Sequence, residues 1–165
     1  MSLPGNDTVR EQILVKIRNL LAGLSWVGGV AAVTEAIELA TPFDQSKAFI
    51  LYSADSDMSR EQEGIRDGFN VEAFTFDLRL ETLIPESLFL TPTDPDSAQR
   101  TGARIHGLLL AALLAPGSLG GLAMRVDTLG GGGIGWKSPE DRVVIVESVF
   151  QIHYRIRRGS PEVVV

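Results

Sequence analysis

The sequence predicts an α+β domain: a mostly antiparallel β-sheet packed by two α-helices, with a long C-terminal strand and a glycine-rich hairpin loop. Three observations predict it. Two segments, starting near Val9 and near Pro95, repeat apolar residues at helical spacing. Phe69–Thr82 and Arg142–Gly159 alternate apolar and polar residues with the two-residue period of a half-buried strand. The glycine-rich stretch sits between two alternating strands, 121–129 and 142–159.

The first helix has a capping-box start, Thr8 with Glu11 three residues later and Asp7 as a rival cap. Val9, Ile13, Ile17, Leu20, Leu21 and Leu24 form its apolar stripe, while Arg10, Lys16 and Arg18 lie off it. "WVGGV" (26–30) ends it. A strand is expected over 30–39, a second over "AFILY" (48–52), and a polar, acidic surface loop over 53–68. In "FNVEAFTFDLRLET" (69–82), Phe74, Phe76, Leu78 and Leu80 share one face and Thr75, Asp77, Arg79 and Glu81 the other. Asp94 followed by Pro95 predicts the start of the second helix, which runs to about Leu114 before Pro116 and Gly117. Its buried stripe is Ala98, Thr101, Ile105, Leu108, Leu109, Ala112 and Leu113, and Gly102, Ala103 and Gly107 thin its surface for close packing. Strands over 121–129 and 142–159 close the chain. On the second, Val144, Val146, Phe150, Ile152, Tyr154 and Ile156 face one way and Glu147, Gln151, His153, Arg155 and Arg157 the other. Residues 1–165 read as a single domain, with 1–6 and 160–165 expected to be flexible tails.

Composition removes several function classes. The chain has no cysteine and two histidines, His106 and His153, so thiolate chemistry is excluded and a histidine-rich metal site is not expected. A formal net charge of -6 disfavours broad binding to nucleic acid, which needs clustered cations. The start of the chain lacks the pattern of a signal peptide. The longest apolar run, "LLLAALLA" (108–115), falls short of the roughly 20 residues a membrane span needs. These features lead one to expect a soluble protein made inside the cell.

The stretch "DTLGGGGIGWKSPEDR" (127–142) invites a nucleotide reading, because Gly130, Gly132 and Gly135 fit G-x-G-x-x-G and Lys137 with Ser138 approaches a P-loop. A phosphate cradle needs a helix N-terminus after its glycines. Here Pro139 and a β-branched strand follow, and Trp136 stands where a P-loop needs glycine. The expectation is a mobile hairpin tip carrying Trp136 and Lys137, with a small-molecule or nucleotide site using Gly130–Lys137 as the alternative. His153 is expected on a solvated strand face, and His106 just beside the buried stripe of the second helix, at the boundary of its buried face. The carboxylates of 55–63 lack the spacing of a calcium loop. Arg155, Arg157 and Arg158 suit a solubilising edge or an inter-subunit contact to acidic groups better than a nucleic-acid site, and no catalytic constellation, metal site or cofactor site emerges.

The order of features is that of one known group. A "REQILVKIRNLLAGL" helix, a "TDPDSAQRTGARIHGLLLAAL" helix, "LGGLAMRVDTLG" and a closing "VFQIHYRIRRGSP" strand follow one another between Val9 and Pro161. This resembles the tail terminator (tail completion, minor tail protein U-like) proteins of long-tailed bacteriophages and prophages, whose closing strand pattern is matched by Phe150, Ile152, Tyr154, Arg155, Gly159 and Pro161. The resemblance implies a structural protein, not an enzyme. It implies a homo-oligomeric ring, commonly a hexamer, that caps the tail tube and meets head–tail connector proteins. DNA would cross its channel without specific binding, no membrane would be involved, and the protein would be assembled in the bacterial cytoplasm and end in the virion tail. Trp136, Lys137, His153, Arg155 and Arg157 are the candidate subunit-interface residues. Another neck or tail-completion component of similar fold is a further alternative.

Overall fold

The computed structural model describes residues 5–33, 46–55, 59–66, 69–89, 96–115, 117, 119–138 and 143–165. These residues form two helices and a seven-stranded sheet in the order α1 (Val9–Ala22), β1 (Val27–Ala32), β2 (Ala48–Ala54), β3 (Ser59–Arg66), β4 (Phe69–Pro85), α2 (Ser97–Leu114), β5 (Arg125–Ser138), β6 (Val143–Arg157) and β7 (Ser160–Val164). The α+β expectation holds, and the sheet is antiparallel except where β1 runs parallel to β2.

The centre of the sheet is the β4–β6 ribbon, paired without a break from Val71↔Arg157 to Pro85↔Val143. The period-two pattern of both strands sets their faces. Phe76, Leu78, Leu80, Val144, Val146, Phe150 and Ile152 are all fully buried on one face. Both helices cover that face, as their place in the same core cluster requires: Val9, Ile13, Ile17 and Leu21 of α1, and Ile105, Leu109 and Leu113 of α2. Phe74 is only partly buried and stacks on Tyr154 at 5.5 Å between centroids. The Thr8 cap is as expected. Glu11 N–H donates to Thr8 Oγ1 (3.2 Å) and Thr8 N–H donates to Glu11 Oε2 (2.6 Å). Two residues after Thr8, Arg10 lays its guanidinium over the buried Phe76 ring at 4.8 Å and donates to the carbonyls of Ala54 and Asp55. The start of α1 is thereby tied to the end of β2.

Several boundaries differ from expectation. The first strand begins at Val27, inside the "WVGGV" that was to end the helix, and residues 34–39 of the expected strand lie outside the described ones. The 53–68 segment is not a loop throughout, because β2 extends to Ala54 and β3 occupies Ser59–Arg66. β2 pairs with β4 over Phe49–Ala54 and β3 pairs with its other half over Ser59–Arg66, so the two are consecutive stretches along one side of β4. A strand of 17 residues leaves backbone donors and acceptors unpaired unless a neighbour runs its whole length, and that demand outweighs the weak alternation of "SREQEGIR". Helix α2 starts at Ser97 with Asp96 in the cap position, while Asp94 and Pro95 lie outside the described residues. Of its expected stripe, Leu108 is 41% exposed, and Gly102 is buried instead. β5 begins at Arg125 rather than at Gly121. Residues 160–164, expected as a tail, form β7 beside the end of β6.

Candidate functional site

The glycine run does lie in the β5–β6 hairpin, but as paired strand and not as its tip. Gly130, Gly131, Gly133 and Gly135 pair with Val149, Ser148, Glu147 and Ile145. Register shifts at Thr128/Gly130 and Gly131/Gly133 are bulges, and Gly130, Gly131 and Gly132 have φ of +142°, +141° and +80°, which L side chains rarely adopt.

Helix packing accounts for Gly131. A Cβ on Gly131 would stand 2.7 Å from His106 Cε1, 2.8 Å from the Glu147 carbonyl oxygen and 2.8 Å from Ser148 Cα. His106 crosses β5 at this point, and its Nδ1 lies 2.7 Å from Ser148 Oγ on β6. Ser148 is fully buried, so its hydroxyl needs an internal partner, and the imidazole supplies it. One turn earlier the arrangement is reversed: Gly102 of α2 is the bare position, and a Cβ there would stand 2.3 Å from Ile134 Cδ1. Helix and strand interlock, an imidazole over glycines at one level and an isoleucine under a glycine at the next. The Ser148–His106 pair does not form an accessible nucleophile, since a fully buried hydroxyl meets no substrate.

The helix-free face of the sheet is polar. Arg125 Nε lies 2.9 Å from Asp127 Oδ2, and His153 Nε2 lies 2.9 Å from the same oxygen and 3.3 Å from Arg125 NH2. Gln151 donates to Asp77 Oδ1 at 3.4 Å, and Arg79 approaches Glu147 at 3.9 Å across the β4–β6 ribbon. The Arg79, Glu147, Arg125 and Asp127 side chains are 39–64% exposed, so these pairs are worth little in water. They do satisfy His153, whose side chain is 17% exposed. His153 is therefore a partnered member of a polar cluster rather than a freely solvated group.

Of the five candidate interface residues, the register brings three together and separates two. His153, Arg155 and Arg157 share the helix-free face of β6. Trp136 and Lys137 lie in β5 near the opposite end of the hairpin, with Trp136 opposite Val144. Nine residues of strand separate Val144 from His153, roughly 30 Å at about 3.3 Å per residue. The five do not make one patch within a single copy. Beside the start of β5, a groove of about 350 Å³ is lined by Leu113, Leu114, Leu119, Met124, Arg125 and Val126 among others. Sequence reading missed it because it joins the end of α2 to a strand start across a glycine-rich turn. Its signal was the exposed Leu114 and Met124, at 41% and 46%.

No group of three His, Asp or Glu side chains among the described residues is placed to hold a metal ion, and no helix among them is long and apolar enough to cross a membrane. In comparisons with known proteins, no family model matches the chain, and no curated protein matches it.

Proposed function

We propose that this chain is a structural protein of a long-tailed bacteriophage or prophage tail, a terminator-like subunit whose ring closes the tail tube and joins it to the head. The observation that carries this reading is the order of elements ending in "VFQIHYRIRRGSP", which resembles the tail terminator proteins. The construction of the molecule is compatible with such a role. Gly102, Gly131 and the buried Ser148–His106 pair serve helix packing, and the described residues offer partners a polar sheet face and open surface grooves. Surfaces of that kind bind other protein surfaces better than they enclose a small molecule. The net charge of -6 suits a ring through which DNA passes without adhering. Pairing of Gly130, Gly131, Gly133 and Gly135 in the β5–β6 ladder, with the strand β6 after them, supports this reading over a nucleotide site at Gly130–Lys137.

The test is an assembly assay. Purified protein is added to tail tubes that lack their terminal ring and to DNA-filled heads. The expected result is density capping one tube end in electron micrographs and a gain of joined particles. Tubes left bare at saturating protein would refute the proposal.

A further inference from the structure

We infer that two copies of this chain join through the outer edge of β5, the strand pairing antiparallel with its own copy about a two-fold axis. The inference goes beyond the tail reading and does not rest on it. β5 stands at the end of the strand order β1-β2-β4-β6-β5, and among the described residues β6 is its ladder partner. α2 lies over the face of β5, with Gly102 against Ile134 and His106 against Gly131. Among the described residues, none of the backbone hydrogen bonds that join turns, loops and caps reaches 125–138. A strand of 14 residues therefore turns a row of donors and acceptors outward, the template on which another strand pairs.

The charge pattern of this edge points to a second copy as its occupant. Proteins that stay apart guard such edges with charge or proline; residues 128–136 carry neither, while Asp127 and Lys137 flank them. Paired antiparallel on itself with Gly132 at the two-fold axis, the stretch sets each of its residues opposite an uncharged one. The same register sets Asp127, whose side chain is 39% exposed, opposite the partner's Lys137. That is an opposite-charge cross-strand pair, and the symmetry makes it twice. Leu129, 51% exposed, falls opposite the partner's Gly135, where a Cβ would meet nothing within 4 Å. Each copy thus brings one apolar side chain and one bare position to receive it. Copies that repel at a net charge of -6 meet here without like charges opposite one another. A contact of one edge with the same edge is isologous and stops at two copies, whereas a ring needs heterologous contacts. The dimer is therefore a state of the free chain.

Sedimentation velocity over a concentration series tests this on the full chain, with circular dichroism to show that each variant is folded. The unaltered chain is expected to pass from monomer to dimer. Leu129→Ala removes the apolar side chain, and Gly135→Val fills the bare position opposite it without a contact inside its own copy. Each is expected to raise the dimer dissociation constant roughly tenfold, since the two-fold axis counts every change twice. Lys137→Glu sets like charges opposite one another and is expected to weaken the dimer several-fold. Lys16→Glu makes the same change of net charge at an exposed position of α1 and is expected to leave the dimer unchanged. A chain monomeric throughout the series, a trimer or larger species in place of the dimer, unchanged association of Leu129→Ala and Gly135→Val, or equal weakening by Lys16→Glu would each overturn the inference. The tube assay is independent of it. Bare tubes beside an intact dimer refute the tail role alone, and capping by a chain that never dimerises refutes the dimer alone.

Discussion

Replacing Gly131 by alanine adds one methyl group at the point where α2, β5 and β6 converge. Two costs add. The residue sits at φ +141°, and holding a non-glycine residue in so sparsely populated a region costs about 1–3 kcal/mol. The new Cβ also stands 2.8 Å from the Glu147 carbonyl oxygen and from Ser148 Cα, both backbone atoms of the central β6, which cannot swing aside. Overpacking of this kind costs about 1–3 kcal/mol more. The sum, roughly 2–6 kcal/mol, is a large share of the 5–15 kcal/mol typical of a domain. Gly133→Ala is the internal control two residues away. Its Cβ meets nothing within 4 Å and its φ is not positive, so the change should lie within about 1 kcal/mol of neutral. Urea unfolding followed by tryptophan fluorescence reads both. Equal midpoints for the two variants would refute the close seating of α2 on the glycine run.

Two further predictions concern single contacts. His106→Ala leaves the fully buried Ser148 hydroxyl without its imidazole and should cost about 1–3 kcal/mol in urea unfolding. Adding Ser148→Ala to it should recover part of that loss, whereas strict additivity would show that the pair is not coupled. Hydrogen bonds from the Thr8 backbone and then from its side chain hold the Glu11 carboxyl below its ordinary pKa of 4.5. A depressed folded-state pKa stabilises above the unfolded value, and that contribution is lost as pH falls through the folded one. Thr8→Ala removes only the side-chain part of this effect and should raise the Glu11 pKa slightly in a carboxyl NMR titration, the backbone N–H keeping it below its ordinary value; a Glu11 pKa at or above that value in the unaltered protein would contradict the capping box.

Strong periodicity was legible in the sequence, and long-range pairing was not. The faces of β4 and β6 and the stripe of α1 followed from spacing, because Phe76, Phe150 and Ile13 have no other way to leave water. β3 and β7 were illegible for the opposite reason: "SREQEGIR" and "SPEVV" are held by pairing with the strand next to each in the chain, and their own residues carry little pattern. Leu108 followed helical spacing yet faces outward, because α2 rolls toward β5 where Gly102 admits Ile134. The glycine run was the hardest to read. Gly131 answers contacts made by residues elsewhere, His106, Glu147 and Ser148, so no local template distinguishes the run from a phosphate loop.

Amide hydrogen exchange across residues 127–138 tests the central claim most directly, that this stretch is strand paired with β6 rather than a loop awaiting a ligand. Protection comparable to that of the neighbouring β6 residues, unchanged by added nucleotides, is the predicted result. Exchange at the rate of an unstructured peptide, slowed when a nucleotide is added, would contradict it.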